Sequence, residues 1–216
     1  MNELLKVEQL GMTRDGQELF SNLSFTLKED DWLTVVGPSG GGKSTLLKAL
    51  AHLEQPTTGT VELNNGNSDL TIAEYRQTVS YAVQSAQLFG NTVRDNLNLP
   101  FEVRGLEPNE KRQQTGLVQM GLDPLYLDKE IEELSGGQRQ RVGVLRNLLF
   151  PPTVLLLDEI TTGLDQESKQ VLWQVIRDLQ KEHHFAVVSV THDQGEITGA
   201  AWQLTIGEGK VGFSHE

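Results

Sequence analysis

The run GPSGGGKST, which is Gly37, Pro38, Ser39, Gly40, Gly41, Gly42, Lys43, Ser44 and Thr45, carries the most explicit chemistry in this sequence. It fits the pattern G-x-x-x-x-G-K-[ST] and stands between an apolar run, Trp32 to Val36, and residues Leu46, Leu47, Leu50 and Leu53 at helical spacing. Strand, glycine turn and helix is the order in which such a run can hold phosphates. Glycines let backbone N–H groups turn inward without Cβ clashes, and the following helix aims its positive end at the same point. Lys43 would neutralise the β- and γ-phosphates of a nucleoside triphosphate, and Ser44 would ligate Mg²⁺ through its hydroxyl. The loop implies a triphosphate and says nothing of what its hydrolysis would drive.

A second group of residues sits at the ends of other apolar runs. VLLLDE closes on Asp158 and Glu159, where a buried parallel strand would emerge. Ligands of open α/β sheets bind at the carboxyl ends of strands. Asp158 is placed to hold Mg²⁺, and Glu159 to polarise an attacking water and take its proton. Two acids ahead of ITTGLDQES also suit a helix N-terminus, and the residues by themselves leave both readings open. Gln84 and His192 end the runs TVSYAVQ and FAVVSVTH. An amide at Gln84 could reach Mg²⁺ or the water, and an imidazole at His192 could bond the γ-phosphate. A surface glutamine and a capping histidine are the plainer alternatives.

A third stretch, LSGGQRQRVGVLRNL from Leu134 to Leu148, opens on Ser135, Gly136, Gly137 and Gln138 and continues as an apolar helical pattern. No metal ligand or acid–base pair lies inside it, so nothing nearby in sequence is an evident target for the serine and glycines.

The elements that must position these groups follow from periodicity. Leu23, Phe25 and Leu27 alternate with polar residues, as in a half-buried strand. Gly59 to Asn67 reads as strand and turn, with Asn65-Gly66 as the turn signal, and Thr78 to Gln84 as a strand. Residues 91–133 are polar, with helical patches broken by Pro100, Pro108 and Pro124. Pro151-Pro152 stops the helix before it. Leu172, Val175, Ile176 and Leu179 mark an amphipathic helix, Phe185 to His192 a buried strand, and Gln203 to Phe213 a hairpin. Buried strands alternating with helices predict a mainly parallel sheet, and the early alternating strands an antiparallel lobe beside it.

The 216 residues suffice for one large α/β domain with a subdomain. A net charge of −12 argues against general nucleic-acid binding. With no cysteine there is no disulfide framework or thiolate metal site. The start MNELLKVEQL is not a signal peptide, and runs such as VLLL are too short to span a bilayer. Work at a membrane would require docking on something that spans it.

Taken in order, GPSGGGKST, YAVQ, LSGGQRQR, VLLLDE, TTGLD and VTHD resemble the motif series of the ATP-binding-cassette (ABC) ATPases, and they cover nearly the whole chain. LSGGQ is the most specific of them. The resemblance implies a phosphate-loop NTPase fold over residues 1–216: a RecA-like, mainly parallel core, an N-terminal antiparallel subdomain and a helical subdomain at about residues 88–150. It implies ATP and Mg²⁺ as ligands and an ATP-dependent homodimer arranged head to tail. Ser135 and Gly137 of one copy would then face the γ-phosphate held by the other, with the helix near Gln138 adding its dipole. Glu159 would be the catalytic base, Gln84 the Mg²⁺ and coupling residue, His192 the γ-phosphate contact, and Asp165 part of the loop linking the two sites. Two positions depart from the family pattern. Arg14 stands where an aromatic residue usually stacks on adenine, although a guanidinium can also stack on a purine. TTGLD carries Gly163 where the family more often has alanine.

A compact single cassette resembles the ATPase subunit of a transporter, peripheral on the cytoplasmic face of the membrane through a separate polytopic permease. Its coupling surface would lie at about Gln84 to Arg104. RNL after the signature and DEIT after the acidic strand resemble the Fet-type ATPases, linked to iron export. Import of another solute, or a soluble regulatory ATPase, are the alternatives. With five histidines and no cysteine, the sequence shows no metal-ligand cluster, so iron itself would not touch this chain.

Overall fold

Continuous apolar runs become the buried strands of a sheet. In the computed structural model, which describes residues 2–63, 70–193, 196–197, 202–207 and 210–215, the chain forms two units. The first comprises Met1–Tyr81, Pro152–Glu159 and His184–Glu216; the second comprises Ala82–Pro151 and Ile160–His183.

The first unit begins with β1 (Glu3–Arg14) and β2 (Gln17–Lys28), joined at Asp15-Gly16, followed by β3 (Trp32–Val36), α1 (Lys43–Leu50) and β4 (Thr58–Leu63). A short helix α2 (Ile72–Thr78) leads into β5 (Val79–Ala82). Later segments add β6 (Val154–Asp158), β7 (Ala186–Val190), β8 (Trp202–Gly207) and β9 (Lys210–His215). β2, β1 and β4 make a three-stranded antiparallel sheet. The larger sheet has the order β5-β6-β7-β3-β8-β9. Its strands β6, β7, β3 and β8 run parallel, and β9 returns antiparallel on β8. Every residue of β6 and β7 is buried, which is why neither sequence alternates. One apolar cluster joins the two sheets through α1, whose Leu46, Leu47 and Leu50 are fully buried together with Leu5, Phe20 and Leu156. Each such leucine contributes roughly 1.5–3 kcal/mol of transfer free energy.

Several boundaries differ from the sequence expectation. Leu53 is 49% exposed and lies beyond α1, which ends at Leu50. Thr78 belongs to α2, not to the strand after it. That helix starts with a capping box between Thr71 and Glu74, a T-x-x-E signal that the apolar pattern of so short a helix does not reinforce. β5 stops at Ala82, so Gln84 lies past the strand. The Asn65-Gly66 turn lies outside the described residues.

The second unit is helical among the described residues: α3 (Val93–Glu102), α4 (Glu110–Gln119), α5 (Gly136–Leu148) and α6 (Gln166–His183), with 3-10 turns at Pro124–Asp128 and Ile131–Glu133. Pro100 does not break α3. Leu97, Pro100 and Phe101 are all buried, and their packing outweighs the one backbone hydrogen bond a proline forfeits. Asn96, wholly buried, binds the Phe89 and Thr92 carbonyls through Nδ2 at 2.8 and 3.0 Å and accepts the Phe89 N–H at 3.0 Å. The segment before α3 is therefore tied to the helix by side-chain bonds that apolar periodicity does not register.

Candidate nucleotide site

In the first unit, the loop from Gly37 to Gly42 leaves the carboxyl end of β3 and enters α1. Gly37 has φ 151° and runs so close to β8 that a Cβ there would lie 1.8 Å from the Ile206 carbonyl oxygen. Only glycine fits. Pro38, Ser39 and Gly40 are exposed, whereas Gly42, Lys43 and Thr45 are buried. Gly42 caps α1 without any side-chain hydrogen bond, so the first N–H groups of the helix are not used by a cap. Lys43 curls back over the loop, its Nζ donating to the carbonyls of Gly37 at 3.0 Å and Pro38 at 2.9 Å. Burial pushes its ammonium below the usual lysine range, partly offset by the charges of Glu159 and Asp158. An ammonium held over a glycine-rich loop at a helix N-terminus is suited to the oxygens of a phosphate chain.

The acids complete this arrangement. Asp158, last residue of β6, is 7% exposed. Its Oδ1 accepts the Ser44 hydroxyl at 3.0 Å and its Oδ2 accepts the Tyr81 hydroxyl at 2.7 Å. Burial, with Asp158 adding to it, holds the Tyr81 phenol well above the usual tyrosine range, so it remains a donor. A serine hydroxyl touching a carboxylate is a hard-oxygen pair of the kind Mg²⁺ prefers. Glu159 has already left the strand. Its φ of 50° is uncommon for a residue with a side chain, and its N–H bonds the Val190 carbonyl at 3.0 Å. Its Oε1 lies 3.1 Å from Nε2 of His192, which follows β7. The structure thus brings Lys43, Ser44, Asp158, Glu159 and His192 to the carboxyl ends of β3, β6 and β7. Arg14 ends β1 opposite Gln17, half exposed, and pairs with Glu54. The following strand residues Leu19 and Phe20 lie against Gly42 of the phosphate loop.

In the second unit, Ser135 is the N-cap of α5, which starts at Gly136 rather than near Gln138. Ser135 Oγ accepts the Gln138 N–H at 3.3 Å, and Gln138 Oε1 accepts the Ser135 N–H at 2.9 Å, a capping box. Ser135 and Gln138 therefore do have a local task. As the serine oxygen accepts, its own proton is left to donate elsewhere, and Ser135 and Gly136 are exposed. A Cβ on Gly136 would meet nothing within 4 Å, so its side is open. Asp165 accepts the Ser168 N–H at 2.8 Å and the Ser168 hydroxyl at 3.0 Å, and these bonds hold its carboxyl below the usual range. Gly163 has φ 77°, so the glycine in TTGLD answers a backbone requirement. Gln84 is exposed, two residues past β5.

The ABC transporter family profile matches residues 20–162. The chain belongs to the ABC transporter family. It is 41% identical over 94% of its length, and 91% of the relative's, to the probable iron export ATP-binding protein FetA of Escherichia coli strain K12. It is 34% identical to the energy-coupling factor transporter ATP-binding protein EcfA1 of Lacticaseibacillus paracasei, over 98% of this chain and 78% of that one. Among solved structures, the ATP-binding cassette MJ0796, a dimer in a post-hydrolysis state bound to ADP and Pi, superposes with a TM-score of 0.86 at 28% identity, covering 98% of both chains. The fold is that of the phosphate-loop NTPases, and this cassette is an ABC-type ATPase, the ATP-binding subunit of a transporter.

Three residues that lie within the quoted motifs have contacts that the motifs did not announce. Tyr81 binds a carboxylate 77 positions later, a separation no local pattern reveals. Gln140, 5% exposed, bonds both sides of Gln84's loop: its Oε1 accepts the Ala86 N–H at 2.9 Å and its Nε2 donates to the Val83 carbonyl at 3.3 Å. Arg146 donates to the Gln87 carbonyl at 3.3 Å and to Asn96 Oδ1 at 3.1 Å. The helix α5 thus holds the segment from Val83 to Gln87 through two side chains.

Proposed function

We propose that this cassette binds ATP with Mg²⁺ at the phosphate loop, hydrolyses it between two copies arranged head to tail, and drives a separate membrane permease that exports iron or another metal. The observation that carries the catalytic part is the cluster at the strand ends, with Ser44 3.0 Å from Asp158 and Glu159 3.1 Å from His192. Backbone amides of residues 37–42 and Lys43 cradle the phosphates. Ser44 and Asp158 would hold Mg²⁺, with Gln84 as a further oxygen ligand, and the ion would supply charge neutralisation for the phosphates. Glu159 orients the attacking water and accepts its proton. His192 positions Glu159 and contacts the γ-phosphate. From the second copy, Ser135, Gly136, Gly137 and Gln138 close on that phosphate, and Asp165 lies in the loop that links the two sites. Arg14 stacks on the base. The dimeric state of MJ0796 supports the pairing of two copies.

Among the described residues no helix is long and apolar enough to cross a membrane. In this reading the cassette sits on the cytoplasmic face through its permease. The permease docks on the segment from Gln84 to Arg104, where Phe89 and Val103 are 42% and 50% exposed. Similarity to FetA supports iron export, and similarity to EcfA1 favours the alternative, a cassette serving another transported solute. Co-purification from membranes followed by mass spectrometry tests the assignment. A polytopic partner recovered without a solute-binding protein is the expected result, and recovery of no membrane protein would contradict the transporter reading.

A further inference from the structure

Asp158 is fixed from two sides. It is almost fully buried, and each carboxylate oxygen has its own donor: Ser44 on Oδ1 at 3.0 Å, Tyr81 on Oδ2 at 2.7 Å. The two donors differ in kind. Ser44 belongs to the phosphate-loop helix and has oxygen lone pairs left for a metal. Tyr81 comes from β5, which is hydrogen-bonded to β6 in the sheet, so its backbone is set relative to Asp158 by the strand ladder. Its ring packs at the edge of the apolar core, and only the hydroxyl reaches the carboxylate.

We propose that Tyr81 is a positioning residue for the metal: it locks the Asp158 carboxylate so that Oδ1 faces Ser44 and the pair of oxygens is set before the nucleotide arrives. This rests on the Mg²⁺-ATP reading above. Without the phenol, Oδ2 loses its donor, and the side chain can turn about its terminal torsion, which has no sharp minimum of its own. Hydrogen-bond partners of metal ligands typically govern affinity by about 10–100-fold. Orientation and electrostatics here have opposite signs. Removing a donor leaves more charge on the carboxylate and by itself would tighten Mg²⁺ binding, whereas loss of orientation weakens it. Loss of orientation is the larger effect at this buried carboxylate.

The test is Tyr81→Phe, which keeps the ring packing and deletes the hydroxyl. Binding of a non-hydrolysable ATP analogue is followed by calorimetry in EDTA and at stepped Mg²⁺ concentrations, and bound Mn²⁺ is followed by electron paramagnetic resonance. The EDTA affinity should match the wild type, while the Mg²⁺ concentration for half-saturation should rise about tenfold. Tyr81→Phe placed in an Asp158→Asn background should add no further loss. Unchanged or tighter Mg²⁺ binding overturns the proposal, as does an equal loss with and without metal, which would make the hydroxyl a packing element only. A further tenfold loss in the Asp158→Asn background overturns it too. If wild-type binding itself ignores Mg²⁺, the metal reading falls and this inference with it.

Discussion

Ser135 has two tasks in this account, and substitutions can separate them. Within its own chain the hydroxyl oxygen caps α5 by accepting the Gln138 N–H at 3.3 Å. Ser135→Ala removes that acceptor and should cost about 1 kcal/mol of stability. For a chain of this size that lowers Tm by roughly 2–4 °C. The second task is donation of the hydroxyl proton to a phosphate held by another copy. A hydrogen bond to a charged group contributes about 1.5–3 kcal/mol, so its loss should lower turnover by roughly 10–100-fold. Ser135→Asp divides the two effects. A carboxylate still accepts the Gln138 N–H and suits the positive end of the helix, so Tm should be kept or slightly raised. The same carboxylate set against a phosphate should abolish turnover. The assays are thermal unfolding, phosphate release over a range of protein concentrations, and ATP binding in dilute solution, where Kd should be unchanged in all variants. Wild-type turnover by Ser135→Asp would refute the cross-copy contact. Turnover that merely follows stability across the series would reduce Ser135 to a helix cap.

Gln140→Leu should leave ATP binding by the phosphate loop intact but free the loop around Gln84. Amide hydrogen exchange at Ala86 should rise on the order of tenfold, because one buried hydrogen bond is lost. Unchanged exchange would deny Gln140 that role. The Asp165 carboxyl is held low by its bonds to Ser168, so its contribution to stability is complete above the unfolded value of about 3.9 and is lost as pH falls through the folded value. Asp165→Asn should therefore flatten acid-induced loss of Tm below about pH 4. An identical acid profile would show that this bond pair adds nothing.

How much was legible in the sequence depended on the range of the interaction. WLTVV, VLLLD and AVVSV are continuous because both faces of their strands are covered, so the sheet could be read directly. Lys43, Ser44 and Asp158 stand out as candidates because a loop pattern and a strand end each mark themselves locally. The bonds that hold Asp158, and those that hold the loop of Gln84, were not legible. Tyr81 meets Asp158 across the sheet, and Gln140 meets Ala86 from 54 positions away. The strain at Glu159 is a backbone property that its residue type conceals. α2 was missed because seven residues give too few turns for apolar periodicity, although its capping box was present in the letters. Leu53 misled for the opposite reason: it continues the helical spacing past the point where the chain turns away.

The central claim is that Glu159 takes the proton from the attacking water while two copies enclose ATP. Glu159→Gln keeps the side-chain shape and removes the base. Gel filtration with ATP and Mg²⁺, alongside phosphate release, should give a stable ATP-bound dimer that does not turn over. A variant that stays monomeric with ATP, or that hydrolyses it at a near-normal rate, would contradict the account.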